Sequence, residues 1–484
     1  MSQADQCPCA EAVRVEHKVG NAGRVLVTAS SPSYNSSTFR LTGWGATRIV
    51  ESYLTQHMRV SNGVSRGRHS CWCVLVLVIL LFSGAPRSVA QSSAPPRVVA
   101  IGDIHGDFDA FRGILERTGM IDASGRWIAG NTTLVQLGDF TDRGPKVRAV
   151  MDLLMDLEEQ ATAAGGRVAV LLGNHEVMNM IGEGQDVTPA IYATFVDEQS
   201  DERRQAAYEA YVKLCAARSA QLLGPVPRSY QCLSKGDWMT ARPLGFVEYR
   251  EAFGPQGRYG RWLRTKPAAL RLDDTVFLHA GINPDRAPRT LEDISKQVLT
   301  EVKRFDDYRS RMIERKLILP FFALSEVVAA AQAEVEAGGS PLRNGTASGI
   351  AGSDGLGPVE IPDPLGLKGL LRIGASPLLD ANGPMWFRGF ATWSAAVGAT
   401  QVTKLLRRYG VAHFVVGHTI PNTMRITPRF SAAIFLIDTG MLSSFYAGGI
   451  ASALEIRDGR FTAIYADQRT TLFEAGRRAA PVRR

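Results

Sequence analysis

The sequence lacks an apolar run of bilayer length and is poor in cysteine and histidine, and each shortage narrows what it can be. Its conspicuous apolar segment, CWCVLVLVILLF at 71–82, has twelve residues, whereas a spanning helix needs roughly 20. Arg59, Arg66 and Arg68 precede it and Ser88-Val89-Ala90 follows. A basic flank, a short apolar run and a small-residue site make a secretory signal peptide, so cleavage after Ala90 is expected and no stable membrane anchor remains. Met58 stands where such a peptide should begin. Residues 1–57 are therefore expected to be a mis-assigned or disordered extension, 58–90 the signal peptide, and 91–484 a domain that works in the periplasm or outside the cell.

There is no stripe of lysine and arginine interleaved with aromatics, which argues against a nucleic-acid partner. The net charge of +8 is mostly N-terminal: residues 1–90 hold 9 basic and 4 acidic residues, leaving 46 against 43, or +3, for the rest. Four of the six cysteines also lie in that segment. Cys215 and Cys232 remain, and an even pair in an exported protein predicts one disulfide. No internal repeat is evident.

What is present is a globular composition, 45% apolar and 21% charged, with a rhythm from residue 97 onward. Short β-branched runs end abruptly in polar clusters: RVVAI before GDIHGD, TLVQL before GDFTDRG, RVAVLL before GNHE, TVFL before HAGI, AHFVV before GHT. Runs apolar throughout predict strands covered on both faces. Helical patterns at Phe108 to Arg117, Lys146 to Thr162 and Val402 to Tyr409 alternate with them, so the class is α/β, with polar loops gathered at one end of the strands. Residues 177–262 read as a largely helical insertion, and the Gly/Pro/Ser-rich stretch 338–384 as a long surface loop.

Only five histidines follow residue 90, and four of them, His105, His175, His279 and His418, fall in the polar clusters. His413 lies inside a strand pattern and reads as a core or edge residue. Asp103 and His105, two apart at a strand end, can point the same way and share a cation. Asp139, directly after a strand and a glycine, is placed to bridge two metals, since a carboxylate can use both oxygens. Asp107 reads as the N-cap of the helix after it.

In this order, GDIHGD, GDFTDRG, GNHE, HAGI and GHT resemble the calcineurin-like metallophosphoesterases of the phosphoprotein phosphatase type. GNHE followed by Met178-Asn179, the HAGI form, and GPMWFRGF at 383–390 are most similar to the Shewanella-like protein phosphatases. The resemblance implies a four-layer fold, a two-sheet β-sandwich flanked by helices, here with the helical insertion. It implies two divalent ions, manganese, iron or zinc: Asp103 and His105 on one, Asn174, His279 and His418 on the other, Asp139 between them. The expected chemistry is attack of metal-bridged hydroxide on a phosphomonoester. By the same resemblance His175 is the general acid with Asp142 as its orienting partner, and Arg143, Arg388 and Asn174 bind the phosphate.

The expected substrate is a phosphorylated protein, on Ser/Thr or Tyr, or a small phosphomonoester. A nucleotide or dinucleoside-polyphosphate hydrolase would use the same metal site. A metal-stabilised binding module is the non-enzymatic alternative; it predicts a missing ligand or proton donor, and none is missing. Departures from the eukaryotic phosphatases, namely HAGI for HGG, Thr141 for valine, and Asp438-Thr-Gly before SSFYAGG in place of a SAPNY-like segment, bear on specificity and leave the ligands intact.

Overall fold

The computed structural model describes residues 14–19, 25–30, 97–221, 232–336 and 366–475. They fall in two units, Met1–Gln91 and Ser92–Arg484. The first contains an antiparallel hairpin of β1, Arg14–Val19, and β2, Val25–Ser30, paired from Arg14 with Ser30 to Val19 with Val25. The expected signal peptide, 58–90, and residues 338–365 of the Gly/Pro/Ser-rich stretch lie outside the described residues.

In the second unit each apolar run ahead of a polar cluster contains a strand. β3 (Val98–Ile101), β4 (Thr133–Gln136) and β5 (Arg167–Val170) run parallel in a six-stranded sheet. The antiparallel β11 (Ser452–Arg457), β12 (Arg460–Tyr465) and β13 (Arg469–Glu474) complete it in the order β13-β12-β11-β3-β4-β5. A five-stranded sheet has the order β6-β7-β8-β10-β9, from Ala269–Leu272, Thr275–Leu278, His413–Val416, Ile434–Leu436 and Thr427–Arg429 respectively. Its β7, β8 and β10 are parallel to one another.

Burial on both faces explains why these strands are apolar throughout. Val98, Ala100, Val135, Leu137, Ala169 and Leu171 share one core with Phe277, Val415, Phe435 and Phe461, which draws on both sheets. Phe435 and Phe461 stack across the two sheets at 4.5 Å with 1° between ring planes. The alternate residues Val99, Ile101, Leu134, Val168 and Val170 join a second core with helical residues such as Phe111, Leu115, Val150 and Leu154. The period-2 alternation of a strand thus sends one set of side chains between the sheets and the other under the helices. This is the α/β two-sheet sandwich flanked by helices that the resemblance implies. His413 is a core residue, its ring 4.6 Å from Phe461 and 5.8 Å from Phe435.

Residues 177–262 hold the end of the helix Asn174–Ile181 and the helices Pro189–Ala193, Ser200–Gln221, Lys235–Ala241, Phe246–Phe253 and Arg258–Leu263. Cys215 and Cys232 are joined as a disulfide with Cα atoms 5.9 Å apart. The described part of the Gly/Pro/Ser-rich stretch forms short helical turns at Leu367–Leu370 and Ile373–Ala375. Among the described residues no helix is long and apolar enough to cross a membrane.

Candidate active site

Strand register brings the polar clusters to one level. Ile101 pairs with Gln136 and Gln136 with Val170, so the loops after β3, β4 and β5 leave side by side. Val416 pairs with both Leu278 and Leu436, which does the same for β7, β8 and β10. The turns are tight. His105, Asp139, Asp142, Arg143 and His418 all have left-handed backbones, φ 47°, 54°, 68°, 66° and 64°, a conformation that costs a non-glycine residue free energy and gathers where a site over-determines it. The glycines of the motifs serve close approach: a Cβ on Gly173 would strike the Asp139 carboxylate, and one on Gly417 would strike Asp103.

One buried carboxylate braces the central loop. Glu176 accepts from the backbone N–H groups of Asp139 (2.7 Å), Phe140 (3.0 Å), Thr141 (3.0 Å) and Gly173 (2.9 Å), and from the Thr141 hydroxyl (2.8 Å). Burial, together with the neighbouring Asp139, raises its carboxyl above the usual range even against these bonds.

Four acceptor atoms converge at the junction of the sheets. His279 Nε2 lies 3.2 Å from Asp139 Oδ2, 2.9 Å from Asn174 Oδ1 and 3.1 Å from His418 Nδ1. Each ring's other nitrogen is engaged by a backbone carbonyl: His279 Nδ1 by Leu137 at 3.0 Å and His418 Nε2 by Trp386 at 3.2 Å. That arrangement puts the N–H outward and the lone pair inward, the usual setting of a metal-bound imidazole. Burial, then His279 and Arg388, hold His418 well below the usual histidine range, so its inward nitrogen is an acceptor. A proton on His279 serves one neighbour, whereas a divalent cation serves all four atoms. The donor set therefore fits a metal ion, and Asp139, His279 and His418 offer ligand atoms within 4.8 Å of one another.

A second group, His105, Asp139 and His175, meets the same criterion. Thr141 O holds His105 Nδ1 at 3.0 Å, turning Nε2 toward Asp139 Oδ2 at 3.9 Å. His175 Nε2 is 3.8 Å from that oxygen, while its Nδ1 is paired with Asp142 Oδ2 at 2.7 Å. Burial opposes the charged form of His175, but Asp139 and Asp142 outweigh it and push the ring up to about 9. The Arg143 guanidinium reaches between the rings, 2.5 Å from His105 Nε2 and 3.1 Å from His175 Nε2, and bonds the Tyr446 hydroxyl.

Asp103 stands at the edge of these groups. Both its oxygens accept from the His418 N–H, at 3.0 and 3.1 Å. Burial, and then the charges of Asp438 and Asp139, push it well above the usual carboxylate range. Arg388 is exposed, with Nη1 donating to His418 O (2.8 Å) and Thr419 Oγ1 (2.9 Å). Asp107 is the N-cap of Phe108–Arg117, accepting from Ala110 N at 3.0 Å.

Sequence reasoning missed five residues that touch the site. Glu176 and Asn179 lie in the quoted motif and gave a signal without a role. Asp438 was visible only as a departure from a known pattern. Tyr446 lies in SSFYAGG, part of that same departure, while Asp186, whose carboxylate is 3.7 Å from both Arg143 Nη2 and His175 Nε2, gave no signal.

A cation-seeking cluster beside a paired histidine and an arginine, on the rim of two mixed sheets, defines a metal-dependent phosphoesterase. The chain carries a calcineurin-like metallophosphoesterase domain: residues 96–299 match the family described as calcineurin-like phosphoesterase. An uncharacterized protein of Schizosaccharomyces pombe is 28% identical over 366 residues, covering 74% of this chain and 77% of the relative. Shewanella-like protein phosphatase 2 of Arabidopsis thaliana is 44% identical over 94 residues, 19% of this chain and 24% of the relative. Among solved structures, the cold-active protein-tyrosine phosphatase of a psychrophilic Shewanella species aligns over 95% of this chain and 99% of its own, at 19% identity and a TM-score of 0.48. The family implies divalent metals and phosphorylated substrates.

Proposed function

We propose that the chain is an exported phosphomonoesterase acting on phosphorylated serine, threonine or tyrosine side chains of proteins or peptides. One observation carries this reading: Asp139 Oδ2, Asn174 Oδ1, His279 Nε2 and His418 Nδ1 meet within hydrogen-bonding distance of His279, next to a His175–Asp142 pair. Bound at these groups, two divalent ions would supply Lewis-acid charge to a phosphate and an acidified water as nucleophile. Asp139, Asn174, His279 and His418 would hold one, and His105 with Asp139 and Asp103 the other. Without thiolate in the set, manganese, iron or zinc suits it.

The remaining work falls to this chain's own side chains. Arg143 presents a planar fork of donors to the non-bridging phosphate oxygens, a shape that ammonium groups lack, and Arg388 adds a second guanidinium from the rim. His175 keeps a proton on Nε2 because Asp142 takes the hydrogen of Nδ1, and it delivers that proton to the departing alcohol or phenol oxygen. Asp139, His105, His175 and His279 are at most 2% exposed, which excludes bulk water and strengthens each of these interactions.

Protein substrates are supported by the name of the Arabidopsis relative, and export by the apolar segment 71–82 and the Cys215–Cys232 disulfide. The full chain, reconstituted with manganese, iron or zinc in turn, should hydrolyse phosphopeptides faster than ATP or dinucleoside tetraphosphates and stop on chelation. Faster turnover of the nucleotides would overturn the substrate assignment, and activity in fully demetallated protein would overturn the mechanism. Mass spectrometry of exported protein should find a terminus at Gln91; a peptide from residues 1–57 would refute the processing scheme.

A further inference from the structure

Behind His175 runs a buried hydrogen-bond chain that ends in the helical segment between the motifs. Asp142 gives one oxygen, Oδ2, to His175 Nδ1 and the other, Oδ1, to Asn179 Nδ2 at 2.8 Å. Asn179 Nδ2 also donates to the His175 carbonyl at 2.9 Å, and Asn179 Oδ1 accepts from the Tyr249 hydroxyl. Asp142 is fully buried, and Tyr249, His175 and Asn179 are at most 2% exposed.

This chain has a single consistent polarity. The carboxylate only accepts, so the Asn179 amide must present its nitrogen to Asp142 and to the His175 carbonyl. A flipped amide would set its oxygen against two acceptors. The remaining partner, the Tyr249 hydroxyl, is therefore the donor that holds the amide oxygen in a dry site, where an unpaired acceptor is costly. Tyr249 cannot drift away: its ring lies 4.5 Å from Phe253, 5.1 Å from Phe195 and 5.2 Å from Tyr192. Asn179 sits one helical turn after His175 on Asn174–Ile181, and Tyr249 on Phe246–Phe253.

We propose that Asn179 and Tyr249 are positioning residues for the proton donor, holding the Asp142 carboxylate so that His175 keeps Nε2–H aimed at the leaving oxygen. The helix Phe246–Phe253 thereby completes a site that the motif loops only begin. The proposal rests on His175 being the general acid. In that step an oxygen from water bonds to phosphorus and releases a proton to solvent, the bond from phosphorus to the ester oxygen breaks with its electron pair staying on the leaving oxygen, and the proton on His175 Nε2 passes to that oxygen. A dinitrophenolate leaves without such help, whereas a simple phenolate or alkoxide does not, so the value of a well-placed proton grows with the basicity of the leaving group.

The test compares kcat and KM of metal-loaded full chain, His175→Asn, Asn179→Ala and Tyr249→Phe across aryl phosphates from dinitrophenyl to phenyl. Tyr249→Phe deletes one oxygen and keeps the ring packing. It should lower kcat on phenyl phosphate about 10-fold and on the dinitrophenyl ester less than about 2-fold, with KM unchanged. Asn179→Ala should show the same bias, with about 100-fold loss on the phenyl ester. If His175→Asn shows the bias but neither positioning variant does, the proposal falls and the general-acid assignment stands. If His175→Asn loses activity equally across the series, the general-acid assignment falls and takes the proposal with it.

Discussion

The loops of the six-stranded sheet and those of the five-stranded sheet meet at Asp139, and they bring different chemistry to it. The first set supplies Asp103, His105, Asp139, Asp142, Arg143, Asn174 and His175, which include both carboxylates of the candidate ligand set and the paired proton donor. The second supplies two imidazoles, His279 and His418, from positions 139 residues apart. These two are held largely by the opposite half: Leu137, just after β4, fixes His279 Nδ1, and Asp103 takes the His418 N–H. On the proposed function, one half would carry charge, proton and phosphate handling, while the other would complete a cation cage. Damage to the first should remove chemistry as well as metal, and damage to the second metal alone.

The harshest way to break this comparison is Asp139→Ala, because Asp139 belongs to both groups of potential ligands. Turnover should become undetectable, and elemental analysis of the purified variant should find neither ion. Retention of both would show that the halves do not share this carboxylate. Next in size, His418→Ala should leave about one ion per chain and lower turnover by orders of magnitude, while the melting temperature changes little. His175→Asn sharpens the contrast from the other side. Turnover of phenyl phosphate should fall roughly 10²- to 10⁴-fold with both ions still bound, and loss of metal in this variant would make His175 a ligand instead.

How much of this was legible in the sequence depends on whether a residue's role is carried by its own neighbours. Asp103, His105, Asp139, Asn174, His279 and His418 each follow a strand-forming run by a few residues, so parallel strands in register place them at one level without further information. His413 has the same side chain but lies inside β8, and position alone separates it from the others. Glu176 is the last letter of GNHE, but beyond the nearby Gly173 its N–H partners belong to a loop 35 to 37 residues earlier, which its own neighbours do not reveal. Tyr249 lies in a helix rich in Glu, Arg, Tyr and Ala, where one buried hydroxyl has no signature. Asp103 was legible as a residue and not as an orientation: its carboxylate turns to a backbone N–H 315 residues away.

Glu176 offers a smaller test of the first half. Glu176→Gln keeps the shape but replaces a double acceptor of charge by an amide that must turn a donor toward one set of N–H groups. The Asp139 loop should loosen, and metal affinity should fall about 10- to 100-fold while metal-saturated turnover recovers most of its value. Titration with manganese, read by activity and by calorimetry, measures this directly. Unchanged affinity would mean that the strained backbone of Asp139 and Asp142 holds itself.

The smallest effect is expected at Arg388, which belongs to neither half. It is exposed, its Nη1 donates to His418 O and Thr419 Oγ1, and its charge contributes to keeping His418 neutral. Two consequences follow from removing it. On the proposed function a phosphate loses one of two guanidinium partners, so KM for a phosphomonoester should rise about 10-fold. The His418 carbonyl loses a bond at a solvent-exposed edge, where water replaces it at little cost, so metal content should hold. A rise in KM with kcat within about 2-fold, in Arg388→Ala at saturating metal, identifies the rim as a binding element. A fall in kcat with bound metal lost would instead make Arg388 part of the cage, tied to it through the His418 backbone.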